Sequence, residues 1–561
     1  MKNVLLILYV FFFLFNLFMP VDPVSAQAQD PAALVEKGDG LLFQSDFAAA
    51  EEAYNAAIEL APDYAPAYAH RCYLRTYQSR YQGALSDCQK AVALAPDSAE
   101  GYAYLTRAYD WAGEYEKAVE TGKKAITLDP ESGLAHSFLG EAYLDSGNSE
   151  EAERELRVGL KLAPDKSETH RNLAYFYLEL GKVDMLLSEL TVALNLEPNF
   201  VPYLFDIAAA YKRSGQAESV LQYLQRILVI FRENKDIDNE AKVLSSIGNV
   251  YDDEGQYEEA LDYFQQALSI YQSIGNPERV GTMLLYIGRA HENLGKYEQA
   301  MDSYQQALTI VQEIGDRAAE AITLKSIGSL YVTIGKDEQA LNSYEQALEI
   351  WREIGRREDE AYVLSYIGDM YENLGQYGPS LDYQKQALVI WQELGNQAKQ
   401  ADTLVEIGIL QYTLSRYEET LDAYQKAISL RQITGDRQGE ATAMNNIGGV
   451  YRAWAKYDEA MDYFQQAQTI YQEINDWAGE GVALANIGGV YLDQGQYRVA
   501  LDNLQRGLAI RQENGIEVHE GNILSSIGTA YYYLGQYQQA LDYQQQALLL
   551  HRETSDPMPR R

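Results

Sequence analysis

Positive charge is scarce in this sequence: 45 Lys and Arg stand against 82 Asp and Glu, a net charge of −37 in 561 residues. A phosphate-binding surface needs a clustered excess of Lys and Arg, so nucleic acid and anionic lipid headgroups are excluded as partners. The acid itself reads as a solubility device. Histidine is rarer still, with six residues and neither HExxH nor CxxC spacing, so no metal site is expected. No glycine-rich loop is free to cradle a phosphate, because the glycines fall on fixed sequence periods. No cofactor is expected. Beyond residue 20 no apolar run is long enough to span a bilayer.

The first residues read as a targeting segment. Lys2 is followed by an apolar run over 4–19, broken only by Asn16 and ended by Pro20. Val24-Ser25-Ala26 and Ala26-Gln27-Ala28 offer small-residue cleavage sites. Residues 1–26 are therefore expected to be a signal peptide, cleaved after Ala26 or Ala28, with the rest exported to the periplasm or the exterior of a bacterium. The alternative is an uncleaved segment that anchors the chain in the membrane. No Cys follows the run, which argues against a lipoprotein.

What the chain does have is repetition. From residue 241 an Ile-Gly pair recurs every 40 residues, from Ile247-Gly248 through Ile287-Gly288 and Ile407-Gly408 to Ile527-Gly528. Tyr stands three residues after the Gly in six of the eight instances, His291 and Gln411 being the exceptions. Upstream the period is 34, marked by Pro62, Pro96, Pro130, Pro164 and Pro198. Section 27–200 holds five 34-residue units, and section 201–560 holds nine 40-residue units, the first of them looser. This leaves no room for a catalytic domain. The 45 Tyr against 14 Phe and 5 Trp suit thin layers, where a ring is buried and its hydroxyl reaches water.

Each unit reads as two amphipathic helices. In the unit beginning at 281, Leu284, Ile287, Gly288 and His291 share one helical face. A helical Gly costs about 1 kcal/mol relative to Ala, so its recurrence calls for close approach, here expected toward Ala300 and Ala307. Gly295 stands where the first helix should end on a left-handed residue. Such Gly-x-Tyr breaks rule out a coiled coil.

These residues resemble the tetratricopeptide family, whose 34-residue motif has small residues at positions eight, twenty and twenty-seven and Pro near the end. Residues 31–64 carry Gly38, Ala50, Ala57 and Pro62 at those places. The 40-residue units are similar to those of kinesin light chains and of bacterial proteins with a CHAT protease domain. The resemblance implies an all-α, right-handed α-solenoid of about 14 helix-turn-helix units. It further implies that the first helices line a concave groove for protein or peptide segments. A wider groove is expected in 201–560 than in 31–200.

Family geometry puts residues two, five, nine, twelve and thirteen of each unit on the concave side. The resulting ligand-binding candidates are Asn249, Arg289, Asn445 and Arg452, joined by Asn446 and Asn486 at the sixth position, where relatives use Asn to bond a peptide backbone. Units 441–520 are favoured, with Arg452 as partner for a ligand carboxylate. Cys72 and Cys88, the only cysteines, face each other in one unit as plain core residues or as a disulfide closing a 17-residue loop. Pro379, Gln411, Ser415 and Thr420 depart from the pattern, so a softer joint is expected near 376–420. Ala540, Ala547 and Leu548 end the array on an apolar face suited to self-association. The functional expectation is a non-enzymatic, exported protein–protein interaction scaffold. The alternative is a regulatory or sensor subunit for a separately encoded enzyme, such as a CHAT-type protease.

Overall fold

A computed structural model describes residues 30–516 and 520–555; the expected signal peptide, 1–26, lies outside them. Among the described residues every regular element is an α-helix, arranged as consecutive packed pairs in an all-α solenoid. Two compact units are distinguished, 1–294 and 295–561.

In the first unit the helices are α1 (Pro31–Phe43), α2 (Phe47–Leu60), α3 (Ala65–Tyr77), α4 (Tyr81–Leu94), α5 (Ala99–Trp111), α6 (Tyr115–Leu128), α7 (Gly133–Asp145) and α8 (Ser149–Leu162). They continue as α9 (Ser167–Glu179), α10 (Val183–Leu196), α11 (Val201–Arg213), α12 (Ala217–Glu233), α13 (Ile237–Asp253), α14 (Tyr257–Ser273) and α15 (Pro277–Asn293). The second unit holds α16 (Tyr297–Ile314), α17 (Arg317–Thr333), α18 (Asp337–Glu353), α19 (Arg357–Asn373), α20 (Tyr377–Glu393), α21 (Gln397–Thr413) and α22 (Tyr417–Thr434). It ends with α23 (Arg437–Ala453), α24 (Tyr457–Glu473), α25 (Trp477–Asp493), α26 (Tyr497–Glu513), α27 (Glu520–Tyr533) and α28 (Tyr537–Ser555). Odd numbers are the first helices of the repeats.

The change of period is a change in helix length. Through α11 the first helices have 13 residues and the second helices 14; from α12 the regular length is 17. The six added residues thus become seven in helices, with one withdrawn from the loop between units. First helices begin four residues before the frame marked by the Ile-Gly pair, at 237, 277, 317 and onward. Their starts are capped by Asp236, Asn276, Asp316, Asn396, Asp436 and Asp476, each accepting from a backbone N–H three residues on. The turns match this regularity: every twentieth residue from 215 to 535 has positive φ. Gly supplies most of these places, while Ser415 and Ala455 hold φ of 59° and 57° without its freedom.

The repeated helical Gly does serve close approach, but its partner is a side chain sixteen residues on rather than the alanines. A Cβ on Gly248 would lie 2.5 Å from the Phe264 ring, and on Gly408 it would lie 2.4 Å from Tyr424. Small residues such as Ala340, Ala347, Ala361 and Ala387 are fully buried around these contacts. Much of the tyrosine content forms stacked pairs within hairpins: Tyr251 on Tyr263, Tyr371 on Tyr383, Tyr451 on Tyr463 and Tyr531 on Tyr543.

A second periodic device joins successive repeats. Glu320, Glu360, Glu440 and Glu480 are buried near the start of a first helix. Each accepts from the side chain eight residues earlier, on the preceding second helix: Gln312, Arg352, Gln432 and Gln472. Arg317, Arg357 and Arg437 hold three of these carboxylates from the other side.

Between 376 and 420 polar groups replace apolar ones in the core. Gln384 is buried where Tyr344, Tyr424 and Phe464 stand in other repeats. Among the described residues the hydroxyl of Ser380 and the amide oxygen of Gln411 are buried without a hydrogen bond, and Thr420 bonds only to its own helix. At the other end, Ala540 and Ala547 are buried rather than on the end face as expected, because they pack into the hairpin core, and α28 instead leaves Tyr537, Leu541, Leu548 and Leu549 exposed.

Candidate peptide-binding face

Which side of the solenoid is concave follows from the packing. In the first unit α1, α3, α5 and α7 each touch the next first helix, and in the second unit α23 and α25 do so. Second helices pack chiefly on first helices, so the first helices form the inner side.

In the 34-residue section that inner side is closed. Arg107 on α5 is 1% exposed, with its guanidinium 4.6–5.6 Å from the ring centroids of Tyr73, Tyr77, Trp111 and Phe138. Glu141 lies 3.8 Å from both Arg107 and Arg171 and accepts from the Trp111 indole N–H at 3.0 Å. The coil also closes end on end. Ser45 Oγ donates to the Asn199 carbonyl at 3.0 Å and accepts from the Val201 N–H at 2.7 Å, while Phe200 packs edge-on against Phe43 and Tyr77. The open groove implied by the family resemblance is therefore filled here by the protein's own side chains. The physical reason is curvature: short first helices lying directly on one another bring rings from several repeats into a common center.

The 40-residue repeats keep an inner face with free polar groups. Asn445 and Asn446 on α23 and Asn486 on α25 form one lane. The Asn486 amide donates to Asn445 Oδ1 at 3.0 Å, so this pair ties neighboring repeats together. Asn446 is half-buried and makes no side-chain hydrogen bond among the described residues. Beside it, a Cβ added to Gly449 would meet nothing within 4 Å, so the backbone there faces open space. Arg452, expected to await a ligand carboxylate, is instead engaged twice by Asp493, at 2.6 and 3.2 Å. Gly489 makes room for it; a Cβ there would lie 2.4 Å from Arg452 Nη1. In the first unit Arg289 similarly bonds Asp252 at 2.5 Å, while Asn249 is half-buried with its amide unengaged among the described residues. The nominated residues thus divide into inter-repeat struts and free amides. The strut role, which sequence reasoning missed, had one signal: Gly489 stands next to the place an arginine crosses.

Further along the inner side, Asp369 on α19 has its carboxyl pushed up to about 6, by burial first and by the neighboring Glu372 charge second. Glu406 on α21 is raised for the same kind of reason, with burial leading and Asp369 and Glu372 adding repulsion. Among the described residues no group of three or more His, Cys, Asp and Glu is placed to hold a metal ion. None of the described helices is long and apolar enough to cross a membrane. Cys72 on α3 and Cys88 on α4 are fully buried and joined in a disulfide, with Cα atoms 5.4 Å apart.

Tetratricopeptide-repeat family models match residues 35–99, 112–174 and successive segments between 202 and 553. The chain belongs to the tetratricopeptide repeat family. Its repeats are those of a protein–protein interaction scaffold, a family whose members are typically not catalysts. No curated protein matches it. Among solved structures it is similar to BtubC from P. vanneervenii, at 21% identity over 39% of this chain and 92% of that one, with a TM-score of 0.36. It is also similar to a STAND signal-transduction ATPase with a tetratricopeptide repeat sensor from Pyrococcus horikoshii, at 16% identity over 73% and 71% of the two chains, with a TM-score of 0.46.

Proposed function

We propose that this tetratricopeptide protein is an exported scaffold that holds an extended protein segment against the inner face of α23 and α25. The observation that carries the reading is the free Asn446 amide beside the open backbone at Gly449. An amide offers a donor and an acceptor, which is what one residue of extended backbone requires. The Asn445–Asn486 bond and the Arg452–Asp493 pair hold that lane rigid before a ligand arrives, which lowers the entropy lost on binding. Export is supported by the targeting segment and by the Cys72–Cys88 disulfide, a bond that persists in oxidizing compartments.

The test is affinity capture from the extracytoplasmic fraction with the natural protein and with Asn446→Ala. The reading expects a defined polypeptide retained by the first and depleted by at least severalfold with the second. Equal recovery on both would remove the site. The exposed apolar side of α28 supports an additional role in self-association, which Leu541→Glu with Leu548→Glu should abolish in sedimentation measurements without unfolding the array.

A further inference from the structure

The inner side of the first unit is not filled throughout. A cavity of about 270 Å³ lies between α1, α3, α5 and the start of α9. It is smaller than the roughly 300–1,000 Å³ typical of drug-sized sites, so it admits a ligand of few heavy atoms. Tyr73 and Tyr104 stack with centroids 4.7 Å apart and give it an aromatic wall. Carboxylates dominate the remaining wall, and Glu168 is the informative one. It is only 6% exposed, accepts from the Tyr73 hydroxyl at 2.6 Å and from the Ser167 hydroxyl at 3.2 Å, and has no Lys, Arg or His within ion-pair distance among the described residues.

Buried carboxylates are almost always paired, because an unpaired buried charge is costly. Glu141, elsewhere on the same inner side, shows the ordinary solution with Arg107 and Arg171. The cations that do line the cavity are committed or peripheral. His70 lies 2.7 Å from Asp39 and 3.9 Å from Glu100, and Lys166 is exposed at the rim. Glu197 stands half-buried on the same wall, its carboxyl raised by burial first and by the charge of Glu168 second, with Lys166 at the rim opposing only in part. An excess of acidic side chains, an aromatic wall and a buried carboxyl whose partners are hydroxyls alone among the described residues therefore converge on one small space.

We infer that this cavity binds a protonated primary amine on an unbranched alkyl chain. The ammonium sits between Glu168 and Glu197, and the methylenes lie along Tyr73 and Tyr104. Two sources share that chemistry: the lysine side chain of a bound protein and a free alkyl diamine. The site lies wholly within the first unit and stands independently of the peptide lane.

The experiment is calorimetric titration of the full chain with cadaverine and with a terminally blocked Gly-Lys-Gly peptide, using the norleucine peptide as the uncharged control. Saturable binding of at least one amine is expected, with none for norleucine. Glu168→Gln should weaken it by about tenfold or more, the loss of a charge-assisted contact, and Glu197→Gln should weaken it severalfold. Binding of the diamine alone assigns the site to a free amine, and binding of the peptide alone assigns it to a protein lysine. Because Glu168 is buried, the half-buried Glu197 provides a variant whose fold is not at risk. Absence of saturable binding for both amines, or affinity unchanged in both variants, would overturn the inference.

Discussion

The buried glutamate that recurs at four repeat junctions gives a sharp energetic test. Glu360 is 4% exposed and is held by Arg352 at 2.9 Å and by Arg357, which also reaches Glu393. Glu360→Ala removes two charge-assisted hydrogen bonds, each about 1.5–3 kcal/mol when a buried charge loses it. Both arginines are more than 40% exposed and recover water, so each bond falls toward the ~1 kcal/mol of an exposed pair. One lost buried methylene adds about 0.8 kcal/mol, and relief of the carboxylate's desolvation subtracts a similar amount. The net expectation is about 2 kcal/mol, or roughly thirtyfold faster amide exchange in α18 and α19. Exchange is the right assay because a repeat array need not unfold as one cooperative unit. Glu360→Gln keeps the volume and should cost about half as much, and the exposed Arg357→Ala should cost least. If Arg357→Ala equals or exceeds Glu360→Ala, the junction is a surface ion pair and the reasoning fails.

Ala455→Gly should raise stability by about 1 kcal/mol by relieving a left-handed alanine; a melting temperature that falls would contradict this. Cys72→Ala with Cys88→Ala should cost about 3 kcal/mol, confined to the first unit, by the loop-closure estimate, and urea titration followed in that unit measures it. Burial raises the Asp369 carboxyl to about 6, above its unfolded value. Its stability contribution is therefore fully present below about pH 4 and lost as pH rises through about 6. Asp369→Asn should accordingly slow exchange in α19 and α20 at pH 8 and leave it unchanged at pH 4. Exchange over 376–420 should exceed that of flanking repeats in the natural chain, since Gln384, Ser380 and Gln411 replace apolar packing there; equal rates would remove the soft joint.

Much of the solenoid was legible because its contacts are local and periodic. Ile-Gly pairs, the left-handed Gly295 and the turn at Gly315-Asp316 each carry a requirement that few residues meet. The four-residue shift in helix starts was also readable, from Asp316, Asp436 and Asp476 followed four residues later by Glu320, Glu440 and Glu480. The closed inner side was not. Ser45 meets Asn199 across 154 residues, and no periodic feature of either predicts the curvature that unites them. For the candidate site, residue type and repeat position nominated Asn446, whose amide makes no side-chain hydrogen bond among the described residues. It could not show that Arg452 is already held by Asp493, since an ion pair between repeats and a vacancy for a ligand require the same residue.

The central claim is that a protein segment lies on the inner face of the 40-residue repeats. A photo-crosslinking residue placed at position 446 in living cells tests it most directly, against the same residue at Gln466, exposed on second helix α24. The account predicts a discrete polypeptide adduct at 446 and none at 466. Adducts confined to 466, or equal at both, would contradict it.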